Sequence, residues 1–364
     1  MSASQRIFKE RRHYNRWVAN QTLEDYALRF TAVRGRHMTI AKVGMTALGA
    51  ASFLALEGLA AAVTLSYGFT NTLWAMLAVC LVLFVTGFPI AYYCAKHGLD
   101  IDLLTRGAGF GYLGSTITSL IYASFTFIFF AIESAILASA LHALLGVPLF
   151  LGYVICAVAV IPIVTHGITA ISKFQVGTQF IWLLLQCGAL AVVLMHEYDS
   201  LNGWTQFVAP DYPQGDSFNL VLFGSAVSVF FALVAQIGEQ ADYLRFMPPK
   251  TQENRKQWWF WLVLSGPGWV WVGLIKMLLG SFLAYLAFTQ LMPFEQATDP
   301  TYMYQRVFYD LTHSPALSLI LAAVMVILCQ MKINVTNAYA GSIAWSNFFS
   351  RLTHSHPGRV VWLV

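Results

Sequence analysis

Five ionisable side chains fall inside long apolar runs of this sequence: Glu57, Glu133, Glu239, Lys276 and Lys332. An acid or base at bilayer depth is costly to insert, so it is kept for function or bound into a pair. Glu57 sits in Leu54-Ala55-Leu56-Glu57-Gly58, near the middle of the first run. Glu133 follows Phe125-Thr126-Phe127-Ile128-Phe129-Phe130. Phe129 and Glu133 are four residues apart, so an apolar ring and a carboxylate share one helix face. Lys332 lies in Gln330-Met331-Lys332-Ile333-Asn334-Val335-Thr336-Asn337, with five polar side chains in eight residues, which a lipid-facing helix would not tolerate. An ionised carboxylate only accepts hydrogen bonds and an ammonium only donates them. The set suits recognition of a polar solute or ion. It also suits a structural network, because three Glu and two Lys nearly neutralise each other. Glu239 is close enough to the end of its run to reach water, and Lys276 has the stem to snorkel or to pair.

Enzyme chemistry finds no support. There is no Ser/His/Asp set, no Walker lysine and no zinc spacing. Gly107-Ala108-Gly109-Phe110-Gly111 follows no strand and reads as a tight re-entry before a membrane helix, not as a nucleotide loop. His354-Ser355-His356 reads as loop. Asn334-Val335-Thr336 matches the N-glycosylation pattern at bilayer depth, and Asn20-Gln21-Thr22 matches it on the basic side, so neither is read as a glycan site. The five cysteines form no Cys-x-x-Cys pair and read as small buried hydrophobes, with no disulfide or metal centre.

The elements that must position these groups are membrane helices. Of 364 residues, 58% are apolar and only 10% are Asp, Glu, Lys or Arg, too few charges to cover a water-soluble globule. The mean hydropathy of +0.63 agrees. Apolar runs near 43–66, 72–95, 116–145, 149–166, 174–195, 218–240, 259–289 and 315–341 each suit a transmembrane helix of about 20 residues. A ninth opens at Val360. The basic segment 1–42 holds nine Lys or Arg and no signal-peptide core, and the membrane domain occupies 43–364. Placing the N-terminus in the cytoplasm puts 18 Lys and Arg on the inner side and only Arg306 on the outer side. That asymmetry predicts a multi-pass inner-membrane protein with a cytoplasmic N-terminus. Trp258, Trp259 and Trp261, after Arg255 and Lys256, read as an interfacial belt.

Three stretches resemble the nucleobase:cation symporter-1 family of purine, cytosine, allantoin and hydantoin permeases. Leu104-Thr105-Arg106-Gly107-Ala108-Gly109-Phe110-Gly111-Tyr112-Leu113-Gly114-Ser115 is similar to the family's loop before its third helix. Asp242-Tyr243-Leu244-Arg245-Phe246 is similar to its D-[FY]-x-R-[FY] motif after the sixth. Asn337 to Asn347 resembles its N-x-x-S-P-A-x-D-x-S-N stretch after the eighth. The resemblance implies an all-α polytopic protein with a LeuT-type 5+5 inverted repeat, its first and sixth helices broken around a midplane site. The chain is expected to stop within helix 9. Leu56-Glu57-Gly58 would lie near the first break, and Gln236-Ile237-Gly238-Glu239 would mark a break or end in helix 6.

The same resemblance places the solute among Phe129, Glu133, Asn337, Glu57 and Gln236, and an ion or charge-coupling group at Lys332 and Asn334. Two departures stand out. Glu133 replaces a family glutamine, which favours a solute with N–H donors or positive charge. Met331-Lys332 falls where the family carries sodium-binding hydroxyls, which argues against sodium coupling and leaves proton coupling through Lys332. No cofactor is expected. The expected partners are a small nitrogenous solute and the lipid bilayer, not nucleic acid. Two functions follow: a secondary transporter, or the permease-like input module of a hybrid sensor histidine kinase, with downstream signalling domains or a homodimer as partners. A Glu133–Lys332 structural pair is the competing use of those two residues.

Overall fold

The computed structural model describes residues 13, 14, 16–212 and 217–363. Met1 and the basic residues Arg6, Lys9, Arg11 and Arg12, assigned above to the cytoplasmic side, lie outside the described residues. Seven helical stretches are long and apolar enough to cross a membrane, and the shorter apolar helix Leu149–Thr165 falls between the third and fourth of them. Each corresponds to one of the eight predicted runs, with ends shifted by at most 15 residues, at the start of the third.

The first span is interrupted. Helix α1 (Ile40–Gly49) starts where the Thr39 side chain accepts from the Lys42 N–H. A 3-10 turn follows over Ala50–Ser52, Phe53 is extended at φ −56°, ψ 141°, and helix α2 resumes over Ala55–Tyr67. Helix α3 (Phe69–His97) ends at Gly98, which adopts the left-handed conformation that glycine takes without strain. The chain re-enters through a wide turn at Arg106–Phe110, with Gly109 at φ 116° and Gly111 at φ 64°, into helix α4 (Gly111–Leu145). The re-entry role read for these glycines fits that geometry. Helix α5 (Leu149–Thr165) leads to α6 (Gly167–Gly177) and α7 (Gln179–His196), which together make the fifth span.

The sixth span is interrupted like the first. Helix α8 (Leu220–Phe230), capped by Asn219, passes through a 3-10 segment at Phe231–Ala235 before α9 (Gln236–Leu244). The break therefore immediately precedes Gln236. Helices α10 (Arg255–Ser265) and α11 (Trp269–Thr289) meet at Gly266-Pro267-Gly268. Helix α12 (Pro300–Thr312) is followed by α13 (Pro315–Leu352).

Helix α13 packs along α4, and α11 packs along α2. The outer faces are apolar: on α4, Ile117, Ile121, Phe127 and Ile128 are exposed, as lipid-facing positions require. Helix α13 is instead polar and buried on more than one side over this stretch, with Gln330, Lys332, Asn334, Thr336 and Asn337 all buried. After α13, Arg359–Trp362 forms a 3-10 turn. Trp362 stacks on Phe349 at 4.3 Å, and the buried Arg359 donates to the carbonyls of Leu23 and Val164.

Candidate binding site at the broken helices

A helix interrupted in mid-membrane exposes carbonyls at the end of its first half and N–H groups at the start of its second. The helix dipole makes the first end partly negative and the second partly positive. At the break between α1 and α2 each end faces a side chain of opposite sign. Lys276 on α11 donates from Nζ to the carbonyls of Phe53, Ser52 and Ala51 at 2.5, 2.7 and 3.3 Å. Its Nζ also lies 3.4 Å from the Glu57 carboxylate, in the first turn of α2. Glu57 Oε1 accepts from the Tyr304 hydroxyl of α12 at 2.9 Å, and Gln186 donates to that hydroxyl in turn.

Glu133 reaches the same break through Gln330. The Gln330 amide donates to the Glu133 carboxylate, and its Oε1 accepts from the Leu54 N–H at 3.2 Å. Both acids thus lie at the positive end of α2, and the ammonium lies at the negative end before it. Close approach of α11 makes this possible: at Gly280, one turn from Lys276, a Cβ would stand 2.4 Å from Glu57 Cα.

Lys332 does not meet Glu133. Its Nζ donates to Gln175 O, Thr178 Oγ1 and Gln179 Oε1 at 2.8, 3.1 and 3.2 Å, where α6 passes into α7. The competing use of these residues, a Glu133–Lys332 structural pair, gives way to two separate attachments, because Gln330 and Lys332 point to nearly opposite sides of α13. The ammonium against the helix-1 carbonyls belongs to Lys276, for which the sequence alone suggests snorkelling or a structural pair.

The other expected residues divide. Asn334 donates to Ser134 and Cys156, both at 3.1 Å, and Asn337 donates to Asn334 Oδ1 at 3.3 Å. Asn337 also lines a cavity of about 450 Å³ beside Thr126, Phe130 and Trp345. Phe130 supplies an aromatic wall there. Phe129 is buried in the core, its ring 4.5 Å from that of Phe125. Gln236, at the start of α9, donates to Glu239 at 2.6 Å. Glu239 is buried, with 1% exposure, and does not reach water.

Among the described residues, burial strands several polar atoms without a hydrogen-bond partner. Around the two breaks they are Glu57 Oε2, Glu133 Oε1, Gln236 Oε1 and Glu239 Oε1, with Asn337 Oδ1 deeper along α13. All are acceptors, and of these only Glu57 Oε2 has an ammonium beside it. Gln330, Tyr304, Gln175 and Gln186 were missed by sequence reasoning as site residues. A neutral amide or hydroxyl in an apolar run is a weaker signal than a charge, although Gln330 opened the polar stretch that drew attention to Lys332.

No protein-family profile and no curated protein matches the chain. Among solved structures, it is similar to Mhp1, a nucleobase-cation-symport-1 family transporter in a closed conformation with bromovinylhydantoin bound. The TM-score is 0.70 at 17% sequence identity, over 94% of this chain and 72% of that one. At that identity the likeness establishes the fold, which is the LeuT-type arrangement expected from the sequence.

Proposed function

We propose that this chain is a secondary-transporter-type membrane protein that binds a nucleobase-like, nitrogenous small solute between its broken helices, and that it does so without sodium. The observation that carries the reading is the set of buried acceptors without donors on Glu133, Gln236 and Glu239. A buried acceptor left unpaired costs about 1–3 kcal/mol, which a ligand donor recovers on binding. An aminopyrimidine or an amidine presents such donors, whereas a ring with only carbonyls on that edge does not. Glu133 is the expected reader of the solute. Lys276 supports the second half of the reading, because a resident ammonium already satisfies the carbonyls of the helix-1 break. Proton coupling through the buried carboxylates and lysines is the corresponding alternative to sodium. The N-terminus and the 242–257 loop are placed on the cytoplasmic side of an inner membrane by the distribution of Lys and Arg.

The test is ligand-induced thermal stabilisation of the purified chain. Aminopyrimidines and amidines are compared with carbonyl-only isosteres, in sodium and in choline buffer at one pH. Donor-bearing solutes should stabilise equally in both buffers, and Glu133→Gln should shift the preference towards mixed donor–acceptor rings. A saturable sodium requirement, or a preference unmoved by Glu133→Gln, would overturn the reading. Uptake into vesicles then separates transport from the sensory use of the same fold, which requires binding alone.

A further inference from the structure

A second cavity, of about 220 Å³, lies where the start of the third span meets the end of the sixth and the lower part of α13. Its lining includes Asp100, Asp102, Ser119, Tyr122, Asp242 and Asn347, and among the described residues the lining holds no base. The wall is otherwise apolar, with Ile121 and Val234 exposed at its edge.

The charges around this cavity do not balance. Asp102 pairs with Arg351 and accepts from Ser119. Asp100 faces Arg245 at 3.7 Å. Asp242 accepts from the Tyr122 hydroxyl at 3.0 Å and the Ile101 N–H at 3.4 Å, while the Arg245 Nε three residues on donates to its backbone carbonyl. Three carboxylates therefore stand against two guanidiniums, and both arginines lie outside the lining. Asn347, 1% exposed, lines the same space with neither its amide nitrogen nor its amide oxygen hydrogen-bonded. A buried amide with both ends unused is expensive to keep unless something docks against it.

We infer that this cavity, which abuts the helix-6 break at Val234 and Ala235 but is not lined by Glu57, Glu133, Gln236 or Glu239, is a second binding site for a small organic monocation bearing N–H donors, such as an amidinium or a primary ammonium on a short apolar body. The cation supplies the missing positive charge beside Asp242. Its N–H groups donate to Asn347 Oδ1, and its apolar body fills the space between Ile121 and Val234. The volume is below the usual range for drug-sized ligands, so the body is small. Among the described residues no three His, Cys, Asp or Glu side chains converge as metal ligands, which favours an organic cation over a metal ion.

The probe is benzamidine, cationic at neutral pH, with benzamide as its uncharged isostere, titrated against the full chain in detergent by calorimetry. Asn347→Leu should weaken one class of benzamidine sites by about tenfold or more, the loss expected for a hydrogen bond to a charged group. The same variant should leave the unliganded melting temperature unchanged or raised, since it replaces an unpaired polar group. Asp242→Asn should weaken the same class, and Glu133→Gln should not touch it. Equal binding of benzamide, benzamidine binding unaltered in Asn347→Leu, or loss of all binding in Glu133→Gln would each overturn the second site. Glu133-dependent binding that survives Asn347→Leu would keep the broken-helix reading whatever happens to this one.

Discussion

Gly280 lies one turn beyond Lys276 on α11, and its missing side chain lets that face of the helix close on Glu57: a Cβ there would stand 2.4 Å from Glu57 Cα and 2.5 Å from Glu57 O. The Lys276–Glu57 distance of 3.4 Å depends on that approach. Both obstructing atoms are backbone, so no side chain can rotate out of the way.

Gly280→Ala should therefore push α11 off α2. The expected cost is about 1–3 kcal/mol, the usual range for overpacking a well-filled contact. It is read as a lower melting temperature in detergent. An unchanged melting temperature would mean that the two helices are not held at this distance.

The two buried lysines should respond unequally to removal of charge. Lys276→Met leaves the Glu57 carboxylate buried opposite three unpaired carbonyls, and breaking a buried pair in this way costs about 3–5 kcal/mol. Lys332→Met removes an ammonium bonded only to a carbonyl, a hydroxyl and an amide, for which about 1–3 kcal/mol is expected. Denaturant or thermal unfolding of the two variants side by side gives the order. The reverse order would show Lys332 to be the lysine that holds the ionic centre.

Topology can be read with single cysteines at Gln252 and Asp211, both exposed, in a background where the exposed native Cys187 is changed to Ser. A membrane-impermeant thiol reagent applied to intact cells should label Asp211→Cys only, and inverted vesicles should label Gln252→Cys only. Labelling of both from one side would invalidate the orientation.

Asp25 lies outside the spans, and burial raises its pKa, with Arg359 and then the Ile168 N–H opposing the rise. A carboxyl whose folded pKa is raised favours the fold most below its unfolded value and loses that contribution as pH climbs through the folded one. Asp25→Asn should flatten the decline in stability as the pH rises above about 4, the ordinary carboxylate pKa. A pH profile that matches the parent would assign the decline to other groups.

The spans were legible because each is a run of apolar residues with little else to be. Their breaks were legible in part: Glu57-Gly58 and Gln236-Gly238 pointed to the right places, yet the unwound residues are Ala50–Ser52 with Phe53, and Phe231–Ala235. Those stretches are apolar apart from Ser52 and carry no proline or glycine to mark them. The partner of Lys276 was not legible, since backbone carbonyls have no sequence signature and lie more than two hundred residues away. The Glu133–Lys332 pairing failed on angle. Residues two apart on a helix point roughly 200° apart, so once Gln330 faced α4, Lys332 had to face the fifth span. Likewise Phe129 turned into the core, while its neighbour Phe130 took the cavity wall beside Asn337.

The pairing of Lys276 with the first span also fixes an order of events during synthesis. Glu57 and the open carbonyls of Ala51, Ser52 and Phe53 enter the membrane with the first helix, and their ammonium emerges 219 residues later, the difference between positions 276 and 57. At roughly 5–20 residues per second that is an interval of about 10–40 s. Throughout it the nascent chain lacks the ammonium that faces this acid in the finished fold. The first helix must meanwhile rest at the insertion machinery or near the interface, where water can reach the carboxyl. Its final seating is expected to follow the arrival of the seventh span, which brings Lys276.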